Sequence, residues 1–96
     1  MSGMRELTEK DFSRAIPRSL RRRLMGGDVR TGEDITALRR FADLSQQEFA
    51  KALGISVHTL RNWEQGRRSP EGPALALLRI TARHPRLLRE NLTLAA

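Results

Sequence analysis

The stretch Leu44-Ser45-Gln46-Gln47-Glu48-Phe49-Ala50-Lys51-Ala52-Leu53-Gly54-Ile55-Ser56-Val57-His58-Thr59-Leu60-Arg61-Asn62-Trp63-Glu64-Gln65-Gly66 decides the fold of this chain. Ser45 followed three residues later by Glu48 is a capping-box signature, in which each side chain satisfies a backbone amide of the other, and it opens a helix over Gln46 to Leu53. Gly54 stops that helix, because a residue without Cβ readily takes the left-handed conformation that ends one. Ser56 then caps a second helix, which runs to about Glu64 and is closed by Gly66. Two short helices that cross steeply and share one core need apolar side chains at Phe49, Leu53, Ile55, Leu60 and Trp63. They also need a small residue at the close approach, Ala50, and no Cβ in the turn, Gly54. All seven conditions hold between Gln46 and Glu64, which makes helix, tight turn, helix a specific reading.

Working outward, Thr31 and Asp34 cap an upstream helix whose apolar positions Ile35, Leu38, Phe41 and Ala42 share one face, and which ends near Asp43 and Leu44. Downstream, Arg67 to Pro73 reads as a loop or helix entry, proline being tolerated in a first turn where its missing N–H would go unpaired. A fourth helix carries Leu75, Leu78 and Ala82, flanked by Leu77 and Ile80, as far as His84. Pro85 begins a final short helix through Leu92, with Leu87, Leu88 and Leu92 as its apolar positions, and residues 93–96 read as a frayed tail. No strand or internal repeat is found. The expected fold is therefore all-α, a five-helix bundle over residues 31–92. Residues 1–30 read as a partly flexible arm with eight basic and four acidic side chains. Thr8 and Asp11 open a weak turn through Phe12 and Ile16, which Pro17 interrupts, and Leu20 and Leu24 follow at i and i+4. These pieces are too short to be stable helices unless they dock on something.

Composition narrows the function. Ninety-six residues, 39% hydrophobic and 30% charged, suit one small domain with an aliphatic core. There is no cysteine, so disulfides, thiolate metal sites and a cysteine nucleophile are excluded. No signal-peptide stretch and no apolar run of membrane-spanning length is present, so a cytoplasmic protein without a membrane partner is expected. His58 and His84 are separated by several elements and lack neighbouring ligands, so no metal site is expected. No nucleophile with a base, glycine-rich phosphate loop or paired carboxylates can be assembled, so neither an enzyme nor a cofactor is expected. The net charge is +7, from sixteen Arg and two Lys against eleven acidic residues. Arginine's planar fork suits phosphates and guanine edges, although charge alone does not distinguish nucleic-acid binding from solubility.

The run Leu44 to Ala50, then Leu53-Gly54-Ile55-Ser56, then Leu60 to Arg67 resembles the Xre-type, phage-repressor-like helix-turn-helix family. The run from Ser56 through Trp63, Pro70 and Pro73 to Leu78 is more particularly similar to antitoxins of the HigA kind, in type II toxin-antitoxin systems. The wider resemblance covers roughly Ile35 to Leu92. It implies a lambda-repressor-like five-helix bundle that binds an inverted-repeat, double-stranded operator as a homodimer. The narrower one implies a repressor of its own operon that neutralises a small ribonuclease toxin of the HigB/RelE type. Gln46, at a helix start, stands where family members bind phosphate.

With Leu60 and Trp63 turned inward, the second helix of the pair must present Val57, His58, Arg61 and Asn62 outward, as base readers in the major groove. Arg61 suits a guanine edge, Asn62 an adenine edge and Val57 a thymine methyl. Thr59, Arg67 and Arg68 join Gln46 as phosphate contacts, which fix register without reading sequence. Trp63 belongs to the core, and Glu64 reads as an internal salt-bridge or capping partner, with Arg39 or Arg40, and not as a base contact. Arg21-Arg22-Arg23 admits three readings: a solvated basic face, a DNA-binding arm or a toxin-docking segment. The apolar set Phe12, Ile16, Leu20 and Leu24 favours contact with a toxin or other partner. Leu77, Ile80, Leu87, Leu88 and Leu92 are the expected dimer contacts. Two rival functions stand beside the antitoxin: a stand-alone repressor of a phage or mobile element, and a protein-interaction module that has lost DNA binding.

Overall fold

A computed structural model describes residues 16–95, and among these every regular element is helical. The helices are α1 (Arg18–Met25), α2 (Gly32–Phe41), α3 (Gln46–Leu53), α4 (Val57–Glu64), α5 (Pro73–Arg83) and α6 (Pro85–Ala95). Three begin as their sequence dictates. The Asp34 amide donates to Thr31 Oγ1 at 3.2 Å while the Thr31 amide donates to Asp34 Oδ2 at 3.3 Å, a closed capping box on α2. Ser45 and Glu48 make the same reciprocal pair on α3 at 3.1 and 2.9 Å. On α4 the Thr59 amide donates to Ser56 Oγ at 3.0 Å. Gly54 ends α3 in the left-handed region at φ 77°, as the turn between the paired helices requires.

One core joins all six helices. Leu24 from α1, Ile35 and Leu38 from α2, Phe49 from α3, Leu60 from α4, Leu78 and Ala82 from α5 and Leu88 from α6 are buried together. α3 lies against both α4 and α6, α2 against α4, and α1 against α5. Among the described residues no buried side-chain nitrogen or oxygen lacks a hydrogen-bond partner. No helix there is long and apolar enough to cross a membrane.

The described chain thus has six helices where five were expected, and the correction falls on the segment read as an arm. α1 has no side-chain cap at its start, Pro17 standing in the capping position, and it is only eight residues long. Docking stabilises it instead. Leu24 enters the core at 1% exposure, and two arginines tie α1 to α5. Arg21 Nε donates to the Ala82 carbonyl at 3.0 Å, in the last turn of α5, with its guanidinium 4.8 Å from the centre of the Phe41 ring. Arg83 Nε donates to the Met25 carbonyl at 2.9 Å, the last of α1. Each helix therefore satisfies a carbonyl that the other's end leaves open. Arg23 Nη1 meets Asp34 Oδ2 at 3.1 Å and fastens α1 to the start of α2. Of the arginine triplet only Arg22 is exposed, and its two neighbours are structural. At the other end α6 continues helical through Ala95, into the residues read as a tail. Asn91 Nδ2 anchors it by donating to the Ala52 carbonyl at 2.6 Å, near the end of α3.

Candidate nucleic-acid interface

The orientation of α4 follows from which of its side chains the core accepts. Leu60 is fully buried and Trp63 is 7% exposed, so the stripe they form faces Phe49, Leu53 and Ile35 in the interior. On the opposite side His58 and Arg61 are exposed, while Val57, Thr59 and Asn62 are half-buried. Val57 packs against the edge of the core, so less of its surface is open than that of His58 or Arg61.

The close seating of α4 on α2 depends on Gly32. A Cβ at that position would lie 2.6 Å from the Trp63 carbonyl oxygen and closer still to that of Glu64. The first turn of α2, whose amides carry partial positive charge, is thereby set against the carbonyl end of α4, an arrangement of opposed helix dipoles. The sequence signals this approach only by a glycine after the capping Thr31, which a capping pattern alone leaves unexplained.

Glu64 closes the same end of α4. Its carboxylate receives Arg39 Nε at 2.8 Å, with the two side chains 7% and 13% exposed respectively. Arg39 also donates to the Leu44 carbonyl at 3.1 Å, so one guanidinium joins α2, the turn before α3 and α4. Glu64 further accepts from Gln46 Nε2 at 3.0 Å, and Gln46 Oε1 in turn accepts from Arg61 Nε at 3.2 Å. The side chains thus form a continuous line: Arg39, Glu64, Gln46, Arg61.

The proposed phosphate contacts are distributed around this face. Gln46 stands at the start of α3 beside Arg61. Thr59 Oγ1 receives the Ser56 hydroxyl at 2.9 Å. Arg67 and Arg68 are exposed just beyond α4, where both backbone amides fold back to the Asn62 carbonyl at 2.9 and 3.3 Å. The partner-contact residues fare differently. Phe12 lies outside the described residues, Ile16 and Leu20 are half-buried against the core, and Leu24 is inside it. Leu24 therefore holds α1 in place and offers no surface to a partner, which corrects its assignment as a docking anchor. Of the expected dimer contacts, Leu77, Ile80 and Leu87 are exposed, whereas Leu88 belongs to the core.

Outside the α4 face, the paired Arg23 and Asp34 are perturbed, the guanidinium upward through its hydrogen bond to Asp34 and the carboxyl downward. Burial pushes the Asp34 carboxyl up, but hydrogen bonds from the Arg23 guanidinium and the Arg30 and Thr31 amides outweigh burial and hold it below the ordinary carboxylate value.

Two helices at a tight glycine turn, the second with its apolar stripe pinned beneath it and a basic, amide-bearing side facing out, define a helix-turn-helix protein. The sequence profile of the MqsA family, the antitoxin component of a bacterial toxin-antitoxin system, matches residues 2–91, and the chain belongs to that family. It is 43% identical over 56 residues to the antitoxin HigA-2 of Vibrio cholerae serotype O1, covering 58% of this chain and 54% of that protein. It is 33% identical over 57 residues to YiaG of Escherichia coli strain K12, an uncharacterized HTH-type transcriptional regulator, covering 59% of each. To the antitoxin MqsA of the same strain it is 33% identical over 58 residues, covering 60% of this chain and 44% of that one. The chain thus spans about half the length of these relatives. No solved structure is significantly similar to it.

Proposed function

We propose that this chain binds operator DNA sequence-specifically, represses its own operon and neutralises a small ribonuclease toxin of the HigB/RelE type. The observation that carries the DNA-binding reading is the fixed roll of α4: Leu60 and Trp63 are buried, so His58, Arg61 and Asn62 are left on the side a major groove would receive. Arg61 reads a guanine edge, Asn62 an adenine edge, Val57 a thymine methyl, and His58 a base edge or a phosphate. Gln46, Thr59, Arg67 and Arg68 engage the flanking phosphates.

Binding is as a twofold dimer on an inverted repeat, with half-site centres one helical turn or a multiple apart. The exposed Leu77, Ile80 and Leu87 on α5 and α6 supply the apolar surface for it. The antitoxin role rests on the family and on the two antitoxins among its relatives. The toxin is met by the N-terminal segment, through Phe12, Ile16 and Leu20.

A mobility-shift titration against the DNA upstream of the gene tests the DNA reading. Wild type is expected to prefer that duplex over a scrambled one, and Arg61→Ala to lose roughly 1 to 3 kcal/mol of that preference. Equal preference in wild type and variant would remove Arg61 as a reader. The antitoxin role is tested by co-expression with the product of the adjacent short reading frame: co-purification and relief of growth arrest support it, and their absence leaves a stand-alone repressor.

A further inference from the structure

The line of side chains from Arg39 to Arg61 has a direction that charge imposes. Glu64 is nearly enclosed and held by Arg39, so its carboxylate is a fixed acceptor at the foot of Gln46. An amide placed between a carboxylate and a guanidinium can satisfy both in only one sense, with its NH2 toward the carboxylate and its carbonyl toward the guanidinium. The flipped amide would set oxygen against Glu64 and N–H against Arg61, losing both bonds. Glu64 therefore dictates that Gln46 Oε1 faces Arg61, and there it accepts from Nε at 3.2 Å.

We propose that Gln46, oriented by Glu64, is a positioning residue for base recognition, acting through Arg61; this rests on the DNA-binding reading above. Arg61 lies on the exposed side of α4, where an unrestrained guanidinium would sample many rotamers and lose that freedom on binding. With Nε engaged by Gln46, its plane is fixed before DNA arrives, and the two terminal NH2 groups remain to donate to a guanine O6 and N7. Gln46 keeps its second amide N–H for a phosphate, so one side chain from outside the reading helix couples backbone register to base choice. Specificity at one base pair is then set by α3 as well as α4.

The test has two arms. In the free protein, nitrogen-15 NMR reads the Arg61 Nε–H directly: slow solvent exchange is expected in wild type and fast exchange in Gln46→Met, which keeps the shape and removes the acceptor. In the second arm, selection from a random duplex library defines the preferred site. Binding is then compared across single base-pair changes for wild type, Gln46→Met, Arg61→Ala and the double variant. Arg61→Ala is expected to lower guanine preference at one base pair about ten-fold or more. Gln46→Met should lower it several-fold at the same base pair, with no further loss in the double variant. Uniform weakening on all duplexes by Gln46→Met, with preference intact, would make Gln46 a phosphate contact only and overturn the proposal. So would an Arg61 Nε–H that exchanges equally fast in wild type and Gln46→Met. A wild type that selects no sequence would instead refute DNA reading itself, while the NMR arm still reports whether the contact exists.

Discussion

Glu64 shows what a sequence can reveal at the scale of one residue and where that stops. Once Leu60 and Trp63 fix the roll of α4, the position of Glu64 at its end and the facing arginines of α2 leave an internal ion pair as the natural reading, and Arg39 fulfils it. Gln46 was legible as a helix-start residue and phosphate contact but not as a partner of Glu64 and Arg61, because which of a long side chain's rotamers is adopted depends on neighbours brought together by the fold. Gly32 is the converse case, a residue with no sequence signal beyond its identity but a strict steric role. Gly32→Ala would ordinarily favour a helix by up to about 1 kcal/mol. Here the added Cβ meets the Trp63 and Glu64 carbonyls, so the variant is expected to lose roughly 1 to 3 kcal/mol in urea unfolding. A stabilised variant would mean that α2 and α4 are not so close. Asp34 gives a pH signature. Its carboxyl is held below the ordinary value of 3.8 in the folded chain, so as pH falls the unfolded chain takes up its proton first. The stability this group contributes is complete above that value and is lost as pH falls through the folded-state one. In thermal melts, the excess stability of wild type over Asp34→Asn should therefore be present at about pH 7 and shrink below about pH 4. A gap that stayed constant would show that Asp34 has no depressed titration.

At the scale of elements, the helices opened by a capping side chain or by a proline in the first turn were legible, and α1, which has neither, was not. The boxes Thr31 with Asp34 and Ser45 with Glu48, and the stop at Gly54, are local chemistry readable from spacing alone. α1 has no such start, and its stability comes from α5 and α2 through Leu24, Arg21, Arg23 and Arg83. An arginine triplet reads the same in sequence whether it faces solvent, phosphate or a neighbouring helix terminus, so only the fold separates those uses. If α1 is an integral part of the core, Leu24→Ala should cost about 2 to 5 kcal/mol of unfolding free energy, with a lower urea midpoint. Arg22→Ala, on the exposed side of the same helix, should leave the midpoint in place. Equal midpoints for Leu24→Ala and wild type would mean that α1 does not share the cooperative core.

For the molecule as a whole, net charge says little, because the arginines of the described residues serve several uses. Arg21, Arg23, Arg39 and Arg83 are engaged within the fold, joining helices that an aliphatic core of this size holds less firmly alone. Arg61 on α4 and Arg67 and Arg68 just beyond it are exposed, as is His58 in its first turn. The roll of α4, and not the net charge, is what the proposed DNA-facing side rests on, and it was accessible from sequence because the helix-turn-helix spacing alone fixes what α4 buries. The exposed apolar residues of α5 and α6, the contacts of the proposed dimer, lie on other elements. In the proposed complex α4 enters the groove by its polar side, which amide chemical-shift mapping during titration with the upstream duplex would reveal residue by residue. Perturbation is expected to concentrate at Gln46, at residues 57–62 and at Arg67 and Arg68. Saturable binding of that duplex with those amides unmoved would contradict that entry.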